Sequence, residues 1–346
     1  MNKRTTAKVS LVAIGAIAIS VTAIIAGCIE VEEPKLTTIT LGYQPSTHHV
    51  AAMVAVEKGW LKEDLARLGI EYVDIKVFPT GPPMMTAMMA GELDIAYVGL
   101  APPVAALYRG LDARVVAAVN NEGSALVIRP ELVEEYEKVG LPAVLAGKRV
   151  ATFPPGSIQH TVLTRWLREH GMCPVADMDM KAMGPAPART AIAADEVDAV
   201  FLPSPSPAML EIAGDGVIVL WSEDIMPGYI CCGIVASGRM IREHPEIVKQ
   251  IIRTHINATR WVEENPAEAA EIFVKTVGGD VATVKRSFEI WDGSFIVDPH
   301  LGVESALIYA DVIFEINREE FEAHGIEPLT KEDIFDTSFY DAIRIG

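Results

Sequence analysis

The sequence predicts an α/β protein of two similar lobes. Each lobe is a mainly parallel sheet flanked by helices, and the C-terminal part is mostly helical. Three observations carry this prediction. Short apolar strands alternate with longer helices from residue 36 onward, which calls for parallel sheets covered on both faces. The order of elements over 37–120 restarts over 148–222. The strand-to-helix turns of both copies are rich in Gly, Pro and Ser.

In the first copy "TTITLGY" reads as a strand, and "HHVAAMVAVEKGWLKEDLARLG" as amphipathic helix closed by Gly69. "YVDIKVFP", "PPMMTAMMAGE", "LDIAYVG" and "PPVAALYRG" continue as strand, helix, strand and helix, and "ARVVAAVN" and "SALVIRP" as strands around "NNEG". In the second copy "KRVATFP", "MDMKAMGP", "VDAVFLP" and "GVIVLW" are strands, and "SIQHTVLTRWLREHG", "ARTAIAADE" and "SPAMLEIAG" helices. At an offset of 104, "TAMMAGELDIAYVG" lies over "TAIAADEVDAVFLP", matching Glu92 with Glu196 and Asp94 with Asp198. Their shared place where a helix turns into a strand suggests a structural role. The tail from "HPEIVKQIIRTHINATRWVEENPAEAAEIFVKTVG" onward is mostly helical.

In open parallel sheets, ligands bind beyond the carboxyl ends of the strands. There each following helix presents N–H groups without internal partners, and its dipole favours negative charge. Proline in a first helical turn removes no hydrogen bond that the helix makes. Six loops fit: residues 44–49, 79–84 and 98–103 in the first copy, and 154–159, 183–188 and 202–207 in the second. If the lobes face each other, these loops line one cleft suited to a small anion or zwitterion. Candidate ligand-binding residues are Gln44, Thr47, His48, His49, Gly81, Asn121, Gln159, Ser204 and Tyr229, with N–H groups at Gly99, Leu100 and Ala101 expected to face the cleft. The lobes are expected to join through "NNEGSALV" and "PGYICCGIV".

The first residues carry a different signal. Lys3, Arg4 and Lys8 precede the apolar run "VSLVAIGAIAISVTAII", and "AGC" closes it at Cys28. A basic start, an apolar stretch and small residues at its end make a secretory signal over 1–27. "IAGC" also resembles a bacterial-type lipobox with Cys28 as the lipidated residue, and 28–36 then form a tether. An uncleaved anchor is the alternative, since the run approaches spanning length. Removing 1–27 takes away three basic residues and no acidic one, so the formal charge moves from −18 to −21. That charge argues against nucleic acid as a partner.

The remaining cysteines are Cys173, Cys231 and Cys232, with no CxxC pair. Cys231 and Cys232 lie in an apolar strand and read as buried small side chains, with ligand contact from one of them as the alternative. Met84, Met85, Met88 and Met89 share one helix; core packing explains them, and copper binding with the histidines is the rival. No GxSxG, HExxH or P-loop is present, so no enzyme is expected.

"LGYQPSTHHVAAMVAVEKGWL", "GPPMMTAMMAGELDIAYVGLAPPVAAL", "LAGKRVATFPPGS" and "EVDAVFLPSP" resemble the nitrate/sulfonate/taurine-type substrate-binding proteins of ABC importers, over about Thr37 to Pro266. The resemblance implies a type II periplasmic-binding-protein-like fold. Lobe 1 would comprise 37–122 and 232–346, and lobe 2 would comprise 123–231. It further implies a solute held between the lobes and handed to a permease with its ATPase subunits, by a monomer without cofactor at the outer face of the membrane. Carried over by motif, the family's loops fall on Gln44–His49, Gly99–Pro102 and Gly156–Ser157. "FLPSPSP" replaces the family's tryptophan-proline segment. Sulfonate, taurine and nitrate are the expected solutes, with a pyrimidine or thiamine precursor as the alternative.

Overall fold

The computed structural model describes residues 35–345. The expected signal peptide, Cys28 and nearly all of the tether lie outside the described residues. Among the described residues no helix is long and apolar enough to cross a membrane.

Among the described residues ten strands form two five-stranded sheets. The first contains β1 (Thr38–Tyr43), β2 (Tyr72–Val77), β3 (Ile95–Gly99), β4 (Ala113–Asn121) and β10 (Ile230–Ser237), in the order β2-β1-β3-β10-β4. The second contains β5 (Ser124–Ile128), β6 (Arg149–Thr152), β7 (Asp179–Ala182), β8 (Ala199–Pro203) and β9 (Val217–Trp221), in the order β7-β6-β8-β5-β9. One order maps onto the other strand for strand. Each sheet also holds one antiparallel strand from the far side of a crossing: β10 between β3 and β4, and β5 between β8 and β9. The sheets are therefore mixed, with four strands running one way and one against them.

Strand period two sorts the second sheet between two cores. Ala199 and Phe201 of β8 join the large core with Leu126 and Ile128 of β5, whereas Val200, Leu202 and Val127 face a smaller cluster with Ile192 and Leu210. Burial on both faces explains why these strands read as continuous apolar runs. In the first lobe the Val50–Glu57 helix is apolar around its circumference. It packs beneath the Pro245–Glu264 and Pro266–Val277 helices of the tail. Met84, Met85 and Met88 are buried in the core, and Met89 is exposed.

Asp94 and Asp198 do the same work in the two sheets. Asp94 Oδ2 accepts from the Thr40 N–H at 2.9 Å while Asp94 N–H donates to Thr40 O, stitching β1 to the start of β3. Asp198 Oδ2 accepts from the Arg149 N–H at 2.9 Å, and its N–H donates to Arg149 O, stitching β6 to β8. An arginine covers each carboxylate: Arg239 on Asp94 and Arg149 on Asp198.

Candidate ligand-binding cleft

The carboxyl ends of both sheets meet at a two-part cleft. Its inner part is a chamber of about 20 Å³, room for roughly one water-sized group. Gln44, His48, His49, Cys231 and Cys232 line it from the first lobe, and Phe153, Ser157 and Gln159 from the second. Outside it lies an apolar vestibule of about 760 Å³, sharing Pro45, Pro79 and Pro185 with the chamber. The Phe273 and Val277–Thr283 region of the tail closes one side of the vestibule. Residues from all six Gly/Pro/Ser loops line one part or the other.

The two histidines are fixed in the same tautomer, with the proton on Nε2, by different partners. His49 Nδ1 accepts from the Gln44 N–H at 3.0 Å, so Nε2 carries the proton, and that buried N–H has no partner among the described residues. Burial and the neighbouring His48 push the His49 pKa down to about 3, so it is an uncharged donor at neutral pH. His48 Nε2 lies 3.0 Å from the Gly123 carbonyl and is its donor, leaving the Nδ1 lone pair toward Cys231 and Cys232. Trp291 stacks on His48, with ring centroids 5.6 Å apart.

Gly123 is where the chain crosses between lobes. Its φ of +85° is unfavourable to other residues, and a Cβ there would meet Trp291 Nε1 at 2.3 Å and His48 Nε2 at 2.4 Å. Asp292 gathers the crossing: its carboxylate accepts from the Gly123 N–H, the Ser222 hydroxyl and the Glu223 N–H. The second crossing runs alongside, with Glu122 N–H donating to Tyr229 O and Gly228 N–H to Glu122 Oε1. Burial raises the Glu122 carboxyl to about 7.

In the vestibule, the Gly81–Met89 and Pro185–Ala193 helices begin from opposite lobes, and neither has a side-chain cap. Arg189 of the latter helix is half-buried in the wall and donates to the Ser206 hydroxyl at 3.0 Å. Among the described residues it has no carboxylate partner within ion-pair distance. Burial pushes its pKa down from the ordinary value, because water no longer fully solvates the charge.

Of the residues expected at the site, Gln44, His48, His49, Gly81, Gly99, Pro102, Ser157 and Gln159 line the chamber. The others do not, for reasons of local packing. Leu100 and Ala101 are buried in the core, and the Leu100 N–H is taken by Cys231 O rather than left facing the cleft. Ser204 O instead latches the lobes, accepting from the Ser46 hydroxyl and the Thr47 N–H. Thr47 is buried behind that latch. Asn121 is occupied by Ser294. Tyr229 is buried at the crossing, and Gly156 faces Ala105 on another surface. Arg189, Trp291 and Asp292 are functional candidates that sequence reasoning missed. An arginine one turn into a helix that opens on a cleft loop was the available signal for Arg189. Nothing local marked the other two.

The NMT1-like family matches residues 32–277. The chain belongs to that family. A relative from Escherichia coli (strain K12), named for binding aliphatic sulfonates, is 31% identical over 52% of this chain. The matched region spans 54% of that relative, about half its length. A Bacillus subtilis (strain 168) protein of the same name is 25% identical over 70% of each chain. Among solved structures, the alkanesulfonate-binding protein of Xanthomonas axonopodis pv. citri bound to MOPS superposes with a TM-score of 0.70 at 23% identity, covering 83% of this chain and 95% of its own. The periplasmic nitrate-binding protein of Synechocystis PCC 6803 gives 0.69 at 16% identity, over 88% and 92%. This NMT1-like chain therefore has the periplasmic-binding-protein fold, two α/β lobes about a cleft.

Proposed function

We propose that this NMT1-like protein is the solute-binding component of an ABC importer and takes a small organic anion of the aliphatic sulfonate class. It would hold the solute between lobes 37–122 with 232–346 and 123–231, and present it to a permease. The N-terminal signal and Cys28 favour an extracytoplasmic, lipid-anchored location. The names of the relatives support the class of solute, and binding without turnover is the role they share.

The observation that carries the anion is Arg189. A half-buried guanidinium without a carboxylate partner among the described residues, in a chain of net charge −18, is poorly compensated until an anion arrives. The two uncapped helix starts turn positive dipole ends to the same space, with Pro82, Pro83, Pro185 and Pro187 carrying no N–H there. The apolar vestibule walls around Arg189 suit an aliphatic chain, and the uncharged His49 donor, Gln44, Ser157 and Gln159 line a chamber with room for about one water-sized polar group.

Calorimetry of the purified chain against ethanesulfonate, taurine, nitrate and neutral alcohols of matched size tests this. An alkanesulfonate should bind with 1:1 stoichiometry, and Arg189→Met should weaken it at least ~10-fold, the loss of one charge-assisted contact. Binding confined to neutral or cationic compounds would refute the anion class.

A further inference from the structure

Cys231 and Cys232 are consecutive on β10, and consecutive side chains on a regular strand point to opposite faces. Here both sulfurs reach the same ring. The pairing of β10 with β4 shifts register between Ile230 and Cys232 and again between Cys232 and Gly233, so the strand is bulged at the pair. The two Sγ atoms lie 3.5 Å apart, and His48 Nδ1 lies 3.6 Å from one and 3.8 Å from the other. All three residues are buried.

These three atoms have the spacing of a metal's coordination shell. With metal–sulfur bonds of about 2.3 Å and a metal–nitrogen bond of about 2.0 Å, tetrahedral angles place two sulfurs about 3.8 Å apart and each about 3.5 Å from the nitrogen. The observed separations are within about 0.3 Å of those values before any adjustment. The surroundings also suit a metal ligand. The Gly123 carbonyl takes the Nε2 proton, which fixes the tautomer that leaves Nδ1 free, and Trp291 holds the ring plane. The donors are two thiols and an imidazole, a soft set that hard cations do not favour.

We propose that His48, Cys231 and Cys232 form a site for one thiophilic d10 metal ion, of the zinc(II) or copper(I) class, with its remaining coordination position turned to the cleft chamber. Binding displaces both thiol protons to solvent, and with a divalent ion the two thiolates leave the buried site neutral. Three protein ligands and one open position make a site that can accept an exchangeable fourth ligand. Gln44, Ser157 and Gln159 line the space beside it. The proposal goes beyond the solute assignment and stands without it, because metal uptake is read with no solute present.

The test uses the reduced full chain carrying Cys28→Ser and Cys173→Ser, so that only the adjacent pair remains. Cobalt(II) titration should give one ion per chain with a thiolate-to-cobalt charge-transfer band, and zinc(II) should bleach that band at one equivalent. Adding Cys231→Ser and Cys232→Ser should abolish the band and weaken zinc binding at least ~100-fold, and His48→Gln at least ~10-fold. Circular dichroism reports whether the variants keep their fold. Absence of the band with Cys231 and Cys232 intact overturns the proposal, whatever the variants do. So does a band that survives in a folded chain lacking both cysteines.

Discussion

The two lobes share their scaffold almost element for element, and their faces on the cleft differ in their imidazoles, thiols and guanidinium. Both sheets follow one strand order, and both stitch corresponding strands, β1 to β3 and β6 to β8, with an aspartate at the same point, Asp94 in one and Asp198 in the other. On the chamber each lobe presents an amide and a hydroxyl, Gln44 and Ser46 from the first and Gln159 and Ser157 from the second, and the first adds two imidazoles and two thiols. The only guanidinium on the cleft, among the described residues, belongs to the second lobe. The difference separates two kinds of constraint. Strand order and the aspartate clamp satisfy backbone groups that any sheet of this order must satisfy. The side chains past the strand ends answer to groups local to each loop, as His49 does to the Gln44 N–H and Ser157 to the His160 N–H, and can differ between the lobes.

Four changes would break or sharpen that comparison, and the crossing between the lobes should give the largest effect. Gly123→Ala combines a left-handed backbone with a Cβ that meets Trp291 and His48. It should cost about 3–5 kcal/mol in a denaturant titration. A loss below ~1 kcal/mol would show that the crossing relaxes easily.

Acid should weaken the first lobe before the second. His49 and His255 are held down to about 3 and about 4, chiefly by burial. The unfolded chain binds their protons more readily than the native one. The stability they contribute is therefore complete above pH 6.5 and is lost as pH falls toward 4 and 3. The loss should be several kcal/mol, up to about 8 if both titrate fully. Glu122 acts in the opposite sense: its folded pKa is raised to about 7, so its contribution is full below 4.5 and fades as pH rises through 7. Stability measured from pH 8 to 4 should thus show a shallow gain at the top of the range and a steep loss at the bottom. His255→Gln should flatten the steep part.

The paired aspartates offer a matched control. Asp94→Ala should cost about 1–3 kcal/mol, because it orphans the Thr40 N–H beside a buried position. Asp198→Ala should cost less, since Asp198 is more open to water. Equal losses would mean that burial does not distinguish the two clamps. The smallest effect is expected at Gly99, where a Cβ would sit 2.7 Å from Ile158 Cγ1 of the opposite lobe. Gly99→Ala should leave melting nearly unchanged and weaken solute binding about 10-fold, roughly 1.4 kcal/mol.

Much of this was legible in the residues. The alternation of strand and helix and the offset of 104 carried two like lobes, because both sheets have helices to bury against. The antiparallel placement of β5 and β10 was not legible. It is decided by pairing between strands far apart in the chain, which local periodicity does not encode. His48 and His49 could be picked out beside a helix start, but their tautomers depend on Gln44 N–H and Gly123 O. Cys231 and Cys232 read as ordinary strand residues until the bulge turned both to one side. Trp291 and Asp292 lie in a segment without repeat or motif and reach the cleft only through the packing of the tail.

The exchange of one strand between the sheets also sets an order of assembly. Every strand of the second sheet lies between Ser124 and Trp221, so that lobe closes on contiguous chain. The first sheet must keep a place between β3 and β4 until residues 230–237 arrive, more than a hundred residues after β4 ends. Such a distant contact forms late and slowly. A chain emerging from its N-terminus would therefore carry a finished second lobe while the first is still open. The last strand to enter brings Cys231 and Cys232 with it.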